Sequence, residues 1–463
     1  PSIQGTYYPL FSLDTSLLIG YSLCLSALLL LVVVVVQMIH CDNHDLLRVS
    51  ALSSSSTSRR YCHGSAKIEG ERTCLKAPNL GVQLAPNQVS IMYQHPYDRW
   101  FEIFPAQFLS SAGARLRRDE SQLESNREIA IATQGTLDRI EMHLDRLARC
   151  WQGPMSVAVL VENAKELERA RAVVRRSRAI QQWVDLHVVQ RRGHTRGDPT
   201  AFYPINMLRN VAMQHVKTRW VFVLDIDLLP NACMSMYVGW VEVMEEVVPL
   251  QAGRSEHQHG DASSIASGCP GLLAFIPPAL ELTREDMSDL PVSPDEAFEQ
   301  CEFLSKAQAL ECVYQGTLRP MHMYYPPAYI PTNYSRWISS NSWFEIPYSS
   351  RFEPYYIARS DVPLFNDSFV DRGRNFAQQV YHMWASGYRF YSIPSLFVID
   401  IPHNSTMQAP FFANALQTWN EFKNFSSSFY GVEKLYSHGA TLGNRLQTEV
   451  DFFTNLVKAK KVS

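Results

Sequence analysis

Several familiar signatures are missing from this 463-residue chain. There is no G-x-G-x-x-G and no P-loop, so a phosphate-bearing ligand would find no glycine-rich backbone cradle and would need another partner, such as a metal. Among nine cysteines there is no C-x-x-C pair, which removes the common zinc patterns. Basic charge is not in excess: 42 Lys and Arg stand against 45 Asp and Glu, a formal net charge of -3. That balance excludes the electrostatic footprint of a nucleic-acid binder. Nothing in the 19% charged fraction marks an acidic tail or a disordered whole.

Residues 17–36 contain no charge at all, and 20 apolar residues are enough to cross the hydrocarbon core of a bilayer as a helix. A cleaved signal peptide is the competing reading, but its apolar region usually runs only ~7–15 residues. The organisation expected is a short tail at 1–16, a transmembrane anchor at 17–38, a stem and linker at 39–126, and a folded domain at 127–463. Asp14 precedes the span while Arg48, Arg59 and Arg60 follow it, which argues weakly against an inside N-terminus. The chain opens on Pro1, so further upstream residues are expected. The serine-rich run at 53–58 buries too little to fold and reads as a tether. Anchor, stem and large downstream domain are the plan of a Golgi type II enzyme with a lumenal domain. Asn333, Asn366, Asn404 and Asn424 head Asn-x-Ser/Thr sequons. Cys62 with Cys74, and Cys301 with Cys312, are disulfide candidates in an oxidising lumen, whereas Cys150 and Cys233 read as buried thiols.

Strand and helix signals alternate from about residue 129. Ile129 to Ala132, Met155 to Val161 and the alternating Val184, Leu186 and Val188 read as strands. Leu137, Ile140, Leu144 and Leu147 fall on one helical stripe after Thr136. Asn163 and Glu166 have capping-box spacing, and a further helix spans about 206–216. Such repetition predicts right-handed βαβ crossovers and a largely parallel sheet. The apolar run from Trp220 then meets Asp225 and Asp227. Ligands of these sheets bind beyond the carboxyl ends of the strands. Two carboxylates there can share a cation, and so mount a diphosphate, only if the backbone turns, as Pro230 leads one to expect.

Several ordered stretches resemble glycosyltransferase family 49: TQGTLDR at 133–139, WQGPMS at 151–156, YPINMLRN at 203–210, PTNYSRW at 331–337, FEPYY at 352–356 and IPH at 401–403. The resemblance implies an α/β fold of the GT-A nucleotide-sugar transferase type, with a mostly parallel central sheet. It implies metal-dependent, inverting transfer of a sugar, with glucuronic acid the leading expectation, from a UDP-sugar to an acceptor glycan or glycoprotein. On that basis Asp225, Asp227 and His403 hold Mn²⁺, a suitable ion for carboxylate and imidazole donors. Gln134, Asn206, Arg209, Asn210 and Asp225 face the nucleotide. UDP-N-acetylglucosamine and UDP-xylose are alternative donors, and a homo- or hetero-oligomer is compatible with the sequence.

An inverting transferase needs a base opposite the leaving group, and Asp367 and Asp371 are the acids in the segment where the family pattern places it. That segment departs from the pattern: Asn366 replaces an acid, Ser368 an Arg, and Arg374 an aromatic residue. A non-catalytic, glycan-binding relative is therefore a second expectation. A metal-dependent hydrolase is the third, and it lacks a visible nucleophile or second metal cluster. Residues 251–271, which include His257 and His259, read as a polar insertion; a glycan on Asn404 would crowd His403; residues 447–460 read as a helix.

Overall fold

In the computed structural model, the residues described are 80–81, 90–97, 99–118, 129–193, 202–231, 272–282, 305–371, 373–400, 420 and 422. All lie within the second of two contact-defined units, residues 65–463. The anchor at 17–38, the insertion at 251–271, His403, Asn404, Asn424 and the expected helix at 447–460 lie outside them. Among the described residues no helix is long and apolar enough to cross a membrane.

Apolar runs predicted as strands do form them. In chain order the strands are β1 (Ile91–His95), β2 (Arg99–Phe108), β3 (Ile129–Thr136), β4 (Met155–Val161), β5 (Val184–Arg192), β6 (Trp220–Val223), β7 (Leu228–Pro230), β8 (Leu273–Ile276), β9 (Ala279–Leu282), β10 (Leu318–Pro320), β11 (Phe344–Ile346), β12 (Tyr356–Arg359), β13 (Arg389–Ser392) and β14 (Val398–Asp400). The helices are α1 (Ser111–Arg118), α2 (Leu137–Trp151), α3 (Ala164–Arg176), α4 (Arg178–Trp183), α5 (Ile205–Gln214), α6 (Lys306–Gln315), α7 (Tyr334–Ser339) and α8 (Asn375–Ala385). At the start of α3 the Asn163 side chain accepts the Glu166 N–H at 3.0 Å, while the Glu166 carboxylate accepts from the N–H of Glu162, one residue before the cap.

The ten-stranded sheet runs β1-β2-β5-β4-β3-β6-β12-β8-β13-β11, and a second sheet runs β10-β9-β14-β7. The expectation of a largely parallel sheet holds for the centre, where β5, β4, β3 and β6 are parallel, and β8 and β13 form a further parallel pair. The full sheet is mixed, because β12 enters antiparallel between β6 and β8 and an antiparallel hairpin, β1-β2, closes the other edge. The central strands are buried along nearly their whole length, as parallel strands covered on both faces must be. Trp151 packs on Phe222 and Trp220 on Phe275, and each such side chain contributes roughly 1.5–3 kcal/mol of burial.

Residues 91–118 correct the boundary set at 127, since β1, β2 and α1 belong to the fold rather than to a linker. A buried polar network ties them in. Ala106, at a bulge in β2 with φ 46°, donates its N–H to His187 Nδ1 at 2.7 Å. That nitrogen is therefore an acceptor, so the neutral ring carries its proton on Nε2 and donates to Ser156 Oγ at 2.9 Å. Ser156 in turn donates to the Ala212 carbonyl at 2.6 Å. Asp185 accepts the N–H and hydroxyl of Ser110 at 2.8 and 2.7 Å, just ahead of α1. Gly113 is required there, because a Cβ would lie 2.2 Å from the Asp185 carboxylate.

Candidate functional site

Parallel strands β3 and β6 end side by side, and the chain beyond each supplies the site. Leu224 still donates to the Ala132 carbonyl at 3.2 Å, after which the backbone turns, with the Leu228 N–H closing on Asp225 O at 3.2 Å. The bend expected near Pro230 thus falls across residues 225–228, and Pro230 itself lies in β7, paired with Val398. The turn frees Asp225 and Asp227 from strict strand alternation.

Each aspartate has its own arginine. Asp225 Oδ1 is 2.9 Å from Arg209 Nη2, and Asp225 Oδ2 accepts from the Tyr355 hydroxyl at 3.2 Å. Asp227 pairs with Arg139, in the first turn of α2. The Arg209 side chain is only 3% exposed. Its Nη1 donates to Asn206 Oδ1 at 3.2 Å and to Asn375 Oδ1 at 3.0 Å, and its guanidinium lies 4.1 Å from the Phe376 ring centroid and 5.1 Å from that of Phe365. Such stacking and forked bonding suit arginine and not lysine.

Of the remaining sequence-selected residues, Asn206 bonds to Arg209, and the others bond to Tyr203 or within the 365–367 segment. Gln134, at the end of β3, accepts the Tyr203 hydroxyl proton. Asn206 and Asn210 are fully buried on α5. Asn206 Nδ2 donates to the Asn366 carbonyl at 2.9 Å, and Asn210 brackets Phe365 by accepting its N–H at 2.9 Å and donating to its carbonyl at 2.8 Å. Both asparagines thus grip the 365–367 segment. Asp367 is 2% exposed, with Oδ1 on Asn210 Nδ2 at 2.7 Å and Oδ2 on the Tyr93 hydroxyl at 2.7 Å. Asp371, in the left-handed region at φ 53°, exchanges two bonds with Tyr203, its N–H to the carbonyl at 2.8 Å and its Oδ1 from the N–H at 2.7 Å. Burial holds its carboxyl above the usual range.

Two acids escaped the sequence reading. Asp400 reaches Asp227 through the β7–β14 ladder, where Asp400 sits opposite Leu228. Asn231 fixes that return, donating to the Ser395 carbonyl at 2.9 Å and accepting the Phe397 N–H at 3.1 Å. Burial, then the neighbouring charges of Asp227 and Glu281, push the Asp400 carboxyl up to about 8. Glu353, half-buried, lies in the fields of Arg209, Arg374 and Asp225 and accepts the Ala377 N–H in the first turn of α8. Burial pushes its carboxyl up to about 7, against the pull of Arg209. The FEPYY stretch was a signal for Glu353; Asp400 had none beyond its place three residues before His403.

Asp225 and Asp227 offer hard oxygen donors of the kind a divalent Mn²⁺ or Mg²⁺ takes, so the donor chemistry fits the ion. Among the described residues no cluster of three or more His, Cys, Asp or Glu side chains is arranged to hold a metal, and His403 lies outside those residues.

A profile of the family described as "Glycosyl-transferase for dystroglycan" matches residues 128–201 and 190–404. The chain belongs to that family, glycosyltransferase family 49. It is similar to the xylosyl- and glucuronyltransferase LARGE1 of Mus musculus, 28% identical over 283 residues, which cover 60% of this chain and 32% of the relative. It is also similar to the xylosyl- and glucuronyltransferase LARGE2 of Homo sapiens, 27% identical over 318 residues, 66% of this chain and 38% of the relative. The chain spans about a third of the length of these curated relatives. Among solved structures it has a loose likeness to GalNAc-T7 with UDP, GalNAc and Mn²⁺, with a TM-score of 0.32 and 8% identity, covering 71% of this chain and 56% of that one.

Proposed function

We propose that this chain is a GT-A type glycosyltransferase that moves a sugar, with inversion, from a UDP-sugar to an acceptor glycan in a metal-dependent reaction. Glucuronic acid is the first donor sugar to test, with xylose and N-acetylglucosamine next. The anchor at 17–38 would hold the folded domain in the Golgi lumen. The observation that carries the reading is the turn at 225–228, which presents two aspartates with an arginine on each at the carboxyl ends of parallel strands.

Asp225, Asp227 and His403 would hold Mn²⁺, and the bound cation supplies Lewis-acid stabilisation of charge on the departing UDP. Arg139, at the site rim, would pair with a diphosphate oxygen in the forked manner of arginine. Arg209 is buried deeper and fixes the direction of Asp225. Gln134 and Tyr203 line the nucleotide side, while Asn206 and Asn210 shape that side from beneath by gripping residues 365–367.

The acceptor hydroxyl must give up its proton as it attacks. Asp367, with both oxygens bonded within the protein, is suited to positioning, and Asp371 uses one oxygen to hold Tyr203. Glu353, half-buried beside Arg209 with a carboxyl near 7, is the third acid available for the base role. Asp371→Asn and Glu353→Gln should separate the two remaining acids, since loss of the base lowers kcat while UDP binding stays.

A glycan-binding relative without turnover is the second reading, favoured by the bonding of Asp367 and the altered residues at 366, 368 and 374. UDP release from a panel of UDP-sugars, with glycan acceptors and with or without Mn²⁺, tests the proposal. Turnover of one donor only with the cation supports it; specific glycan binding without turnover of any donor rejects it in favour of the second reading.

A further inference from the structure

Between β10 and α7 two neighbouring tyrosines stand at the surface, Tyr324 at 78% and Tyr325 at 37% exposure. Single exposed aromatics are ordinary. These two differ in how they are held. The Tyr325 N–H closes a turn on the His322 carbonyl at 2.8 Å, and the Ala328 N–H closes the next on Tyr325 O at 3.1 Å. Short 3-10 turns follow at Pro326–Ala328 and Ile330–Thr332, with Pro326, Pro327 and Pro331 fixing φ. The loop is therefore a frame of consecutive turns, which fixes the backbone that carries both tyrosines before a ligand arrives.

An aromatic ladder joins this surface to the site. The His322 ring lies 5.1 Å from that of Tyr324 and, edge-on, 5.2 Å from that of buried Tyr329. Tyr329 and Tyr355 have ring centroids 6.0 Å apart, with the Tyr329 hydroxyl 3.4 Å from that of Tyr355. Tyr355 donates to Asp225 Oδ2. His322 is itself fixed at φ 54°, with its N–H on Glu281 Oε2 at 3.0 Å.

We infer that Tyr324 and Tyr325 form an acceptor platform, on which the C–H face of a pyranose ring of the acceptor glycan stacks while its reacting end reaches toward Asp225. A phenol ring suits this ligand, because it offers an apolar face to the ring C–H groups and a hydroxyl to the sugar's own hydroxyls. The inference rests on the reading of the chain as a sugar transferase.

The test compares wild type with Tyr324→Ala, Tyr325→Ala, the double variant and Tyr324→Trp. Acceptor KM, acceptor-independent UDP release and UDP binding are measured on each. Loss of one aromatic contact should raise acceptor KM about three- to ten-fold, with donor hydrolysis and UDP binding unchanged, and Tyr324→Trp should keep the low KM. A double variant with wild-type acceptor KM overturns the platform and leaves the transferase reading standing. If wild type turns over no donor, glycan-array binding replaces KM: a signal lost in the double variant supports the platform, and an unchanged or absent signal overturns it.

Discussion

Arg209 is paired with Asp225 at 2.9 Å from inside the protein, sandwiched between Phe365 and Phe376 and bonded to Asn375 on α8. One residue therefore joins the turn of the Asp-x-Asp segment to the helix that follows the altered 366–374 stretch. Arg209 is buried but Asp225 is partly exposed, so Arg209→Ala strands Asn206 and Asn375 and leaves Asp225 without its partner, at a cost of about 2–3 kcal/mol. Arg209→Lys should recover only part of that, having no fork and no planar face. Urea unfolding of the three proteins checks both.

Ser156 resembles a nucleophile beside a histidine, but the proton inventory runs the other way, since His187 donates to it and Ser156 donates to Ala212. Ser156→Ala should lower stability by about 1–3 kcal/mol through the stranded His187 N–H. A fluorophosphonate probe should not label Ser156 in the native protein, which separates this buried network from a hydrolase triad.

The region around Asn333 makes a different separation possible. Asn333, at φ 67°, caps α7 by accepting the Arg336 N–H at 3.2 Å, and it also heads a sequon. Asn333→Gln removes both cap and sequon and should cost about 1 kcal/mol. Ser335→Ala removes the sequon and keeps the cap, so its unfolding midpoint should stay near that of unglycosylated wild type. Denaturant melts of protein made without glycosylation distinguish the two effects.

Acid should weaken the fold through its buried histidines. Burial lowers His382 to about 4 and His95 to about 4 from the ordinary 6.5. In the unfolded chain both rings bind protons as pH falls below about 6.5, while the folded rings stay neutral until about 4, so their contribution is full above 6.5 and declines across that interval. Glu353 has the opposite sign. Its folded value near 7 exceeds the ordinary 4.5, so stability falls as pH rises from about 4.5 to 7, and Glu353→Gln should remove that slope. Urea midpoints at several pH values for wild type, His382→Asn and Glu353→Gln check the signs.

The parts of the fold that could be read in advance are those where local pattern and final environment agree. The helical stripe of Leu137, Ile140, Leu144 and Leu147 is wholly buried, and the apolar run at Met155–Val161 is a fully covered strand. Asp225, Asp227, Arg209, Gln134 and Asn206 stood out in the sequence; in the structure Arg209 bonds both Asp225 and Asn206, Gln134 bonds Tyr203, and Asp227 pairs with Arg139. Asp400 was not, because β14 has three residues and its partner β7 lies about 170 positions earlier in the chain. The β1–β2 hairpin was hidden for another reason: its half-exposed residues, Pro105 and the bulge at Ala106 weaken the period-two signal. Mixed sheet order was equally out of reach, since strand direction at β12 depends on a pairing with β6 that no local pattern encodes.

The most direct measurement is titration of UDP into the purified protein by calorimetry, with and without Mn²⁺, for wild type, Asp225→Asn and Asp227→Asn. Wild type should bind UDP more tightly with the cation, by about ten-fold or more, and either substitution should abolish the gain while the protein remains folded. Equal UDP affinity in the presence and absence of Mn²⁺, or a cation effect that survives both substitutions, would contradict it.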